Sequence, residues 1–398
     1  MSEPAGARPT SVRAANLALV LRTVCAAVDP PSRADVAGVT GMSRATAARL
    51  VDDLVAGGLL DEVERPPTAR RGRPATPLAP GSRYAALGLQ VDAGLLVSRV
   101  LDLRGRVVAE RVEDGDFVGS APAPVLTRLG DLTAGLLDGL PSQVRLVGAG
   151  LALPGIVDVA AGVLLRAPNL GWSDQHPGAT LARALPADLL PVLGNEADLA
   201  ARTVAETAPG RGGEHRDFLY LSGQIGIGGA AVLAGRVMTG SSGWAGEVGH
   251  VCVDPAGPAC RCGSTGCLEQ YAGRDALLAA AGLPRGAAPG LLAQRAAAGD
   301  QAALRALDIA ARALGVALAG VLNVLDIPTV VLGGHLGELG ALLCPAVADH
   351  LARRVLSARW RRPVIVAVAT APGAGATGAA LRVLDHVVTD PARWLTPL

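Results

Sequence analysis

The chain has 398 residues, half of them hydrophobic, enough to bury cores in two or three domains without outside support. Its net charge of +1 gives no general attraction to polyanions, so any nucleic-acid contact must come from a local basic patch. Only 6 cysteines occur and four fall within residues 249–270, which excludes a disulfide-stapled secreted scaffold. The opening MSEPAGARPTSVRAANLALV has neither the basic start and long apolar core of a signal peptide nor a membrane span, so reduced thiols and a cytoplasmic setting are expected.

Residues 16–80 read as a compact helical unit followed by a wing. Leu17, Val20, Leu21 and Val24 repeat at helical spacing and predict one buried stripe. In residues 32–60, Ser32 and Ser43 are each placed to cap a short helix, with Ala37 at the crossing and Gly41 at the turn between them. Leu50, Val51, Leu54 and Val55 form the inner face of the second helix, and Gly57 and Gly58 stop it. This is the pattern of a helix-turn-helix, whose second helix offers Ser43, Arg44, Thr46 and Arg49 to base edges in a major groove. A helical protein-interaction module shares the pattern. The following RPPTARRGRPATPL favours DNA, because Arg65, Arg70, Arg71 and Arg73 sit in an extended Pro-rich segment without an acidic residue, suited to phosphates or a narrow minor groove rather than to a plain linker.

Composition changes near residue 82, which sets a DNA-binding unit at 1–82 and a second domain at 83–398. Residues 84–110 read as strands joined by turns at 92–94 and 104–106, and apolar strands are expected at 146–153, 218–221, 329–332 and 364–369. The longest helix is expected over residues 301–325, and strands alternating with helices predict a mixed α/β domain. Glycine-rich stretches at 153–158, 222–230, 331–340 and 371–380 read as loops that let a backbone approach a ligand, although a tight turn explains any one of them.

The stretch GHVCVDPAGPACRCGSTGCLEQ carries the most specific chemistry. His250, Cys260, Cys262 and Cys267 form H-x9-C-x-C-x4-C over residues 250–267, a Cys3His set able to close a tetrahedral zinc shell. Four protein ligands leave no open position for an activated water, so the Zn2+ is expected to be structural. Redox-active thiols are the competing reading, against which the irregular spacing and the companion histidine stand. Cys252 is expected to be a small core residue, and Cys25 and Cys344 to pack in apolar helices.

With these residues in view the large domain resembles the ROK family, which groups bacterial sugar kinases with sugar-responsive repressors. The resemblance rests on LALPGIVDVAAG, APNLGW, GNEADLAA, GIGGAAVLAGRVMTGSSGWAGEVGH, the cysteine cluster with CLEQYAG, VVLGG and GAGATGAA. It implies a two-lobed, actin-like (ribonuclease H-like) ATPase fold with sugar held between the lobes, preceded in repressor members by a winged helix-turn-helix. It implies sugar contacts at Gly155, Asn195, Glu196, Glu247, His250 and Glu269, whose carboxylates and amide suit vicinal hydroxyls, with Trp172 and Trp244 beside matching motifs as the scarce stacking surfaces.

Three departures separate the chain from the family's kinases. Leu95 and Leu96 stand where a phosphate loop has glycine and threonine, Ile225 stands where the second loop has threonine, and the base position holds Glu196 in place of aspartate. No catalytic residue is expected. The Asn195 and Glu196 pair resembles xylose-repressor-type members and points toward a pentose. The expectation is a sugar-responsive transcriptional repressor of carbohydrate-metabolism genes that binds operator DNA as a homodimer or homotetramer, away from any membrane; the alternative is an ATP-dependent sugar kinase with an accessory DNA-binding head.

Overall fold

The computed structural model describes residues 9–64, 76–369 and 371–395; Arg65, Arg70, Arg71 and Arg73 lie outside these. Three helices open the chain, α1 (Pro9–Ala26), α2 (Arg33–Thr40) and α3 (Arg44–Ala56). Ser32 and Asp35 form a reciprocal capping box at the start of α2, and Ser43 Oγ accepts from Thr46 N at 3.2 Å at the start of α3. The helices are set apart by Gly41 in the left-handed region, and α3 ends through Gly57, still right-handed, with Gly58 supplying the reversal. Strands β1 (Leu60–Glu62) and β2 (Leu78–Pro80) then pair antiparallel as the base of a wing. The predicted stripe of Leu17, Val20, Leu21 and Val24 is buried against Leu50, Val51 and Leu54, while Val55 is half-buried at its edge.

Two lobes of the same design follow. In the first, β3 (Tyr84–Val91), β4 (Leu95–Asp102) and β5 (Val107–Asp114) form an antiparallel meander. After α4 (Pro122–Leu137), β6 (Arg145–Leu153) adds parallel to β3. The small sheet of β7 (Ile156–Asp158), β8 (Val163–Ala167) and β9 (Trp172–Gln175) and the helix α5 (Pro177–Leu181) precede β10 (Pro191–Asn195), which completes the order β10-β6-β3-β4-β5. Every position of β3 is buried, as expected of a strand covered on both faces.

Helix α6 (Glu196–Ala205) leads, through the hairpin β11 (Glu206–Ala208) and β12 (Arg211–Gly212), into the second lobe. There β13 (Phe218–Gly223), β14 (Ile227–Leu233) and β15 (Arg236–Val237) form the meander. The helices α7 (Glu269–Ala272), α8 (Arg274–Ala280), α9 (Pro289–Ala297) and α10 (Gln301–Leu325) precede the parallel β16 (Thr329–Gly333). After α11 (Gly334–Glu338) and α12 (Gly340–Arg354), β17 (Val364–Ala367) closes the order β15-β14-β13-β16-β17. The long α10 passes for a membrane span by length and composition, and 56% of its most apolar window is buried within this lobe.

The last helix, α13 (Ala374–Thr389), returns from the second lobe to pack on β3, β4 and β6 of the first, while α6 leaves the first lobe to pack on β13 and β14 of the second. The two crossing helices meet backbone to backbone, since a Cβ on Gly378 would lie 1.7 Å from Leu199 O. The glycines of GAGATGAA therefore serve helix packing, and the sequence reading of residues 371–380 as a ligand loop is corrected: from Ala374 on they are helix. Head and first lobe share one core, in which the α1 and α3 side chains meet Tyr84, Leu101, Leu381, Leu384 and Val388. The C-terminal end fastens this junction, with Tyr84 Oη donating to Trp394 O at 3.0 Å.

Candidate sugar pocket and metal knot

The turn from β10 into α6 places the first polar group between the lobes. Asn195 caps α6 by accepting from Asp198 N at 3.1 Å, and its Nδ2 donates to Gly155 O at 2.8 Å. Gly155 sits at φ +89° with Arg166 O only 2.1 Å from where a Cβ would be, so the loop that turns into β7 holds this carbonyl only with glycine. The Asn195 amide thus braces the Gly155 loop as well as lining the pocket. The cap leaves Glu196 as the first helical residue, buried, accepting from Ser222 Oγ at 3.1 and 3.2 Å.

Opposite stands Glu269, at the start of α7. It is buried, and its Oε2 accepts from Ile227 N at 3.1 Å and Asn169 Nδ2 at 3.2 Å. Glu247 and His250 complete the ring, with His250 Nε2 3.8 Å from the Glu247 carboxylate. Gly155, Asn195, Glu196, Glu247, His250 and Glu269 all line one pocket of about 70 Å3, so the fold brings together every residue expected there. Asp92, Asn169 and Ser222 line it as well and were not singled out in the sequence. Asn169 stands in the quoted APNLGW and Asp92 at the head of the stretch that runs through Leu95 and Leu96, both usable signals; Ser222 carries none beyond glycine-rich neighbours. Neither tryptophan stacks on the pocket: Trp172 is in the first lobe's core with its Nε1 donating to Ser120 O, and Trp244 is exposed away from the lining.

Four carboxylates, Asp92, Glu196, Glu247 and Glu269, line so small a space, and crowding there opposes ionisation. Burial, and then the neighbouring Asp92, push the Glu196 carboxyl up to about 8; burial, and then Glu247, push Asp198 up to about 7. Glu247 is raised by burial first, with His250 opposing. Because the folded Glu196 value lies above its ordinary 4.5, its contribution to stability is fully present below 4.5 and is lost as pH rises through 8. Glu196→Gln is therefore expected to flatten the fall in urea midpoint between pH 5.5 and pH 8.5 relative to the native chain; parallel profiles would show that Glu196 is not held protonated.

Of the apolar residues that replace the kinase loop residues, Ile225 lines the pocket, whereas Leu96 does not reach it. Leu96 is fully buried in the first lobe's core, and Ile225 reaches over from the second lobe to pack against that same core. Its Cδ1 lies 3.9 Å from where a Cβ on Gly94 would stand, so the two loops run close to each other.

Beside the pocket, His250 Nδ1, Cys260 Sγ, Cys262 Sγ and Cys267 Sγ all lie within 4.8 Å of one another. Cys262 Sγ and Cys267 Sγ are 3.6 Å apart, and Cys260 Sγ is 3.8 Å from His250 Nδ1. Thiolates about 2.3 Å from a tetrahedral zinc would be about 3.8 Å apart, so the donor set fits a metal ion. His250 turns Nδ1 to this knot and Nε2 to the pocket, which joins the two sites through one ring. Cys252 is not the core residue the sequence suggested: it pairs by a bridge with Cys267, and its side chain is exposed because the loop wraps outward around the knot. Cys25 is buried as expected, its thiol pushed up to about 12 by burial, and Cys344 is half-buried.

Arg44 and Arg49 are exposed on α3, with Ser43 at its cap also exposed and Thr46 half-buried, so all four predicted head residues lie at the free end or outer face of that helix.

Comparison with known proteins agrees with this architecture. The chain is 25% identical over 379 residues to the xylose repressor of Bacillus subtilis (strain 168), spanning 95% of this chain and 97% of that one. The crystal structure of a ROK family transcriptional regulator, a homologue of Escherichia coli Mlc, superposes with a TM-score of 0.74 at 22% identity over 96% of this chain and 99% of its own, which extends the likeness in fold to the head. A ROK family glucokinase from Streptomyces griseus, solved with glucose and AMPPNP, superposes with a TM-score of 0.62 at 26% identity; 98% of it is matched by 74% of this chain. A family model for ROK matches residues 119–386, more than half of the sequence, and with the two lobes and their crossing helices described above it follows that the chain belongs to the ROK family.

Proposed function

We propose that this protein is a sugar-responsive transcriptional repressor of carbohydrate-metabolism genes rather than an enzyme. The observation that carries this reading is the pairing of a polar pocket at Glu196, Glu247, His250 and Glu269, with the apolar Ile225 in its lining, with a domain that shares its core with a helix-turn-helix head. Gly155, Asn195, Glu196, Glu247, His250 and Glu269 form the sugar wall, and a structural Zn2+ on His250, Cys260, Cys262 and Cys267 holds two of them in place. A bound metal would supply rigidity to the loop and neutralise its thiolates; the hydrogen bonding to sugar belongs to the carboxylates and the free face of His250. The xylose-repressor relative suggests a pentose as the sugar.

In this reading the unit spanning 1–82 reads operator DNA through Ser43, Arg44, Thr46 and Arg49, and Arg70, Arg71 and Arg73 hold phosphates. Two-fold operators call for a homodimer or a homotetramer, acting in the cytoplasm. Arg44→Ala is expected to cost about 1–3 kcal/mol on the preferred operator and to relax its selectivity, whereas Arg71→Ala weakens all sequences alike and lowers the salt slope by about 1. Equilibrium binding to matched and scrambled duplexes at two salt concentrations checks both; identical losses on both duplexes for Arg44→Ala would remove it from base readout. The reading as a whole is tested by footprinting upstream of the gene with and without pentoses and hexoses, together with an ATP-consumption assay over the same sugars. Robust turnover would favour the sugar kinase alternative.

A further inference from the structure

The pocket around Glu196 and Glu269 is small, about 70 Å3, and Asn195 is a wall of two spaces. On its other side opens a cleft of about 970 Å3 that runs along α6 and α13 and ends at Arg22 and Ala26 of the head helix α1. The chemistry of its lining is specific. Asp198, one turn into α6, lines the cleft, and its Oδ1 is buried with no hydrogen-bond partner. Its electrostatic neighbours are Glu247 of the first pocket and Arg382 of α13. The half-buried Arg382 donates Nη2 to Val192 O at 2.6 Å, and a guanidinium has five N–H groups to give.

An acceptor short of a donor beside a donor with capacity to spare is what hydroxyl groups satisfy, since each both donates and accepts. Five arginines and three carboxylates share this wall, a mixture of signs that neutral hydroxyls can bridge as donor and acceptor, whereas an apolar group would leave the Asp198 oxygen unpaired. Resting on the sugar-pocket reading above, we propose that the effector is an oligosaccharide of at least two rings: one ring lies in the Glu196 and Glu269 pocket, and the next passes Asn195 to lie against Asp198 and Arg382. The same cleft carries the longer ligand to Arg22, so ligand length bears on the head directly.

Calorimetry on the full chain with D-xylose, D-glucose and D-galactose, and with xylobiose, cellobiose, maltose and lactose, tests this. At least one disaccharide is expected to bind tenfold or more tightly than its parent monosaccharide. Thr239→Trp, a change at an exposed position on the cleft wall, is expected to abolish that gain and leave monosaccharide affinity unchanged, which also serves as the folding control. Asp198→Ala is expected to reduce the gain independently. Monosaccharides that bind while no disaccharide binds more tightly would overturn the extension and leave the pocket reading standing. A gain untouched by both variants would overturn its placement in this cleft. Absence of binding by every sugar would remove the pocket reading and the extension together.

Discussion

Glu269→Ala is expected to weaken sugar binding by about 100-fold or more while leaving affinity for operator DNA within about twofold of the native chain. Glu269 is buried at the start of α7, its Oε2 committed to Ile227 N and Asn169 Nδ2, which fixes the carboxylate and leaves Oε1 for a ligand hydroxyl. A hydrogen bond to a charged group contributes about 1.5–3 kcal/mol, and its loss together with the release of Asn169 brings the total to about 3 kcal/mol, a factor of about 100. Glu269→Gln keeps the shape and loses the charge, so it should fall between. Calorimetric sugar titration of both variants, with gel shifts in the absence of sugar, checks the result; unchanged sugar affinity in Glu269→Ala would place the effector elsewhere.

Removing the metal is expected to have the largest effect on stability. With no ion the four donors within 4.8 Å of one another include three thiols, two of them buried, and burial pushes the Cys267 thiol up to about 12. These groups hold the loop between His250 and α7 with little hydrophobic support, because most of residues 251–259 are exposed. Cys267→Ser is expected to abolish stoichiometric zinc and destabilise the second lobe by about 3 kcal/mol, a fall in Tm of about 6–12 °C for a domain of this size. Sugar affinity should drop with it, because His250 and Glu269 flank the knot. Metal analysis with thermal unfolding checks this; a native protein that is metal-free, or whose Tm ignores chelation, would refute a structural metal.

What could be read from the sequence follows the range of the interactions involved. The caps at Ser32 and Ser43 and the metal set on His250, Cys260, Cys262 and Cys267 are local patterns, complete within a few residues of chain, and the structure assembles them as spaced. The pocket was legible through its motif residues, yet the bonds within it were not: Asn195 also caps α6 and holds Gly155 O, a fact set by how β10 meets β7. Asp92 and Ser222 enter the pocket only because two sheets distant in sequence face each other. Tertiary packing also decided that Gly375 and Gly378 lie inside α13, where small residues let it press against the first lobe and α6, although their density in the sequence suggested a loop. The shared core between head and first lobe is likewise invisible in a sequence whose composition breaks at residue 82.

That shared core gives the coupling a physical route. Glu196 opens α6, α6 packs on α13, and α13 packs on α1, so a sugar that shifts α6 changes the support of the head. Arg211, in the hairpin that follows α6, adds a polar link by donating to Cys25 O and Ala27 O at the end of α1. Coupling of this kind is reciprocal, amounting in typical cases to a factor of about 5–150. The most direct test is the affinity of the full chain for its sugar, measured by calorimetry with and without saturating operator DNA. The account predicts that operator weakens sugar binding by the same factor by which sugar weakens operator binding; equal sugar affinities in the two conditions would contradict it.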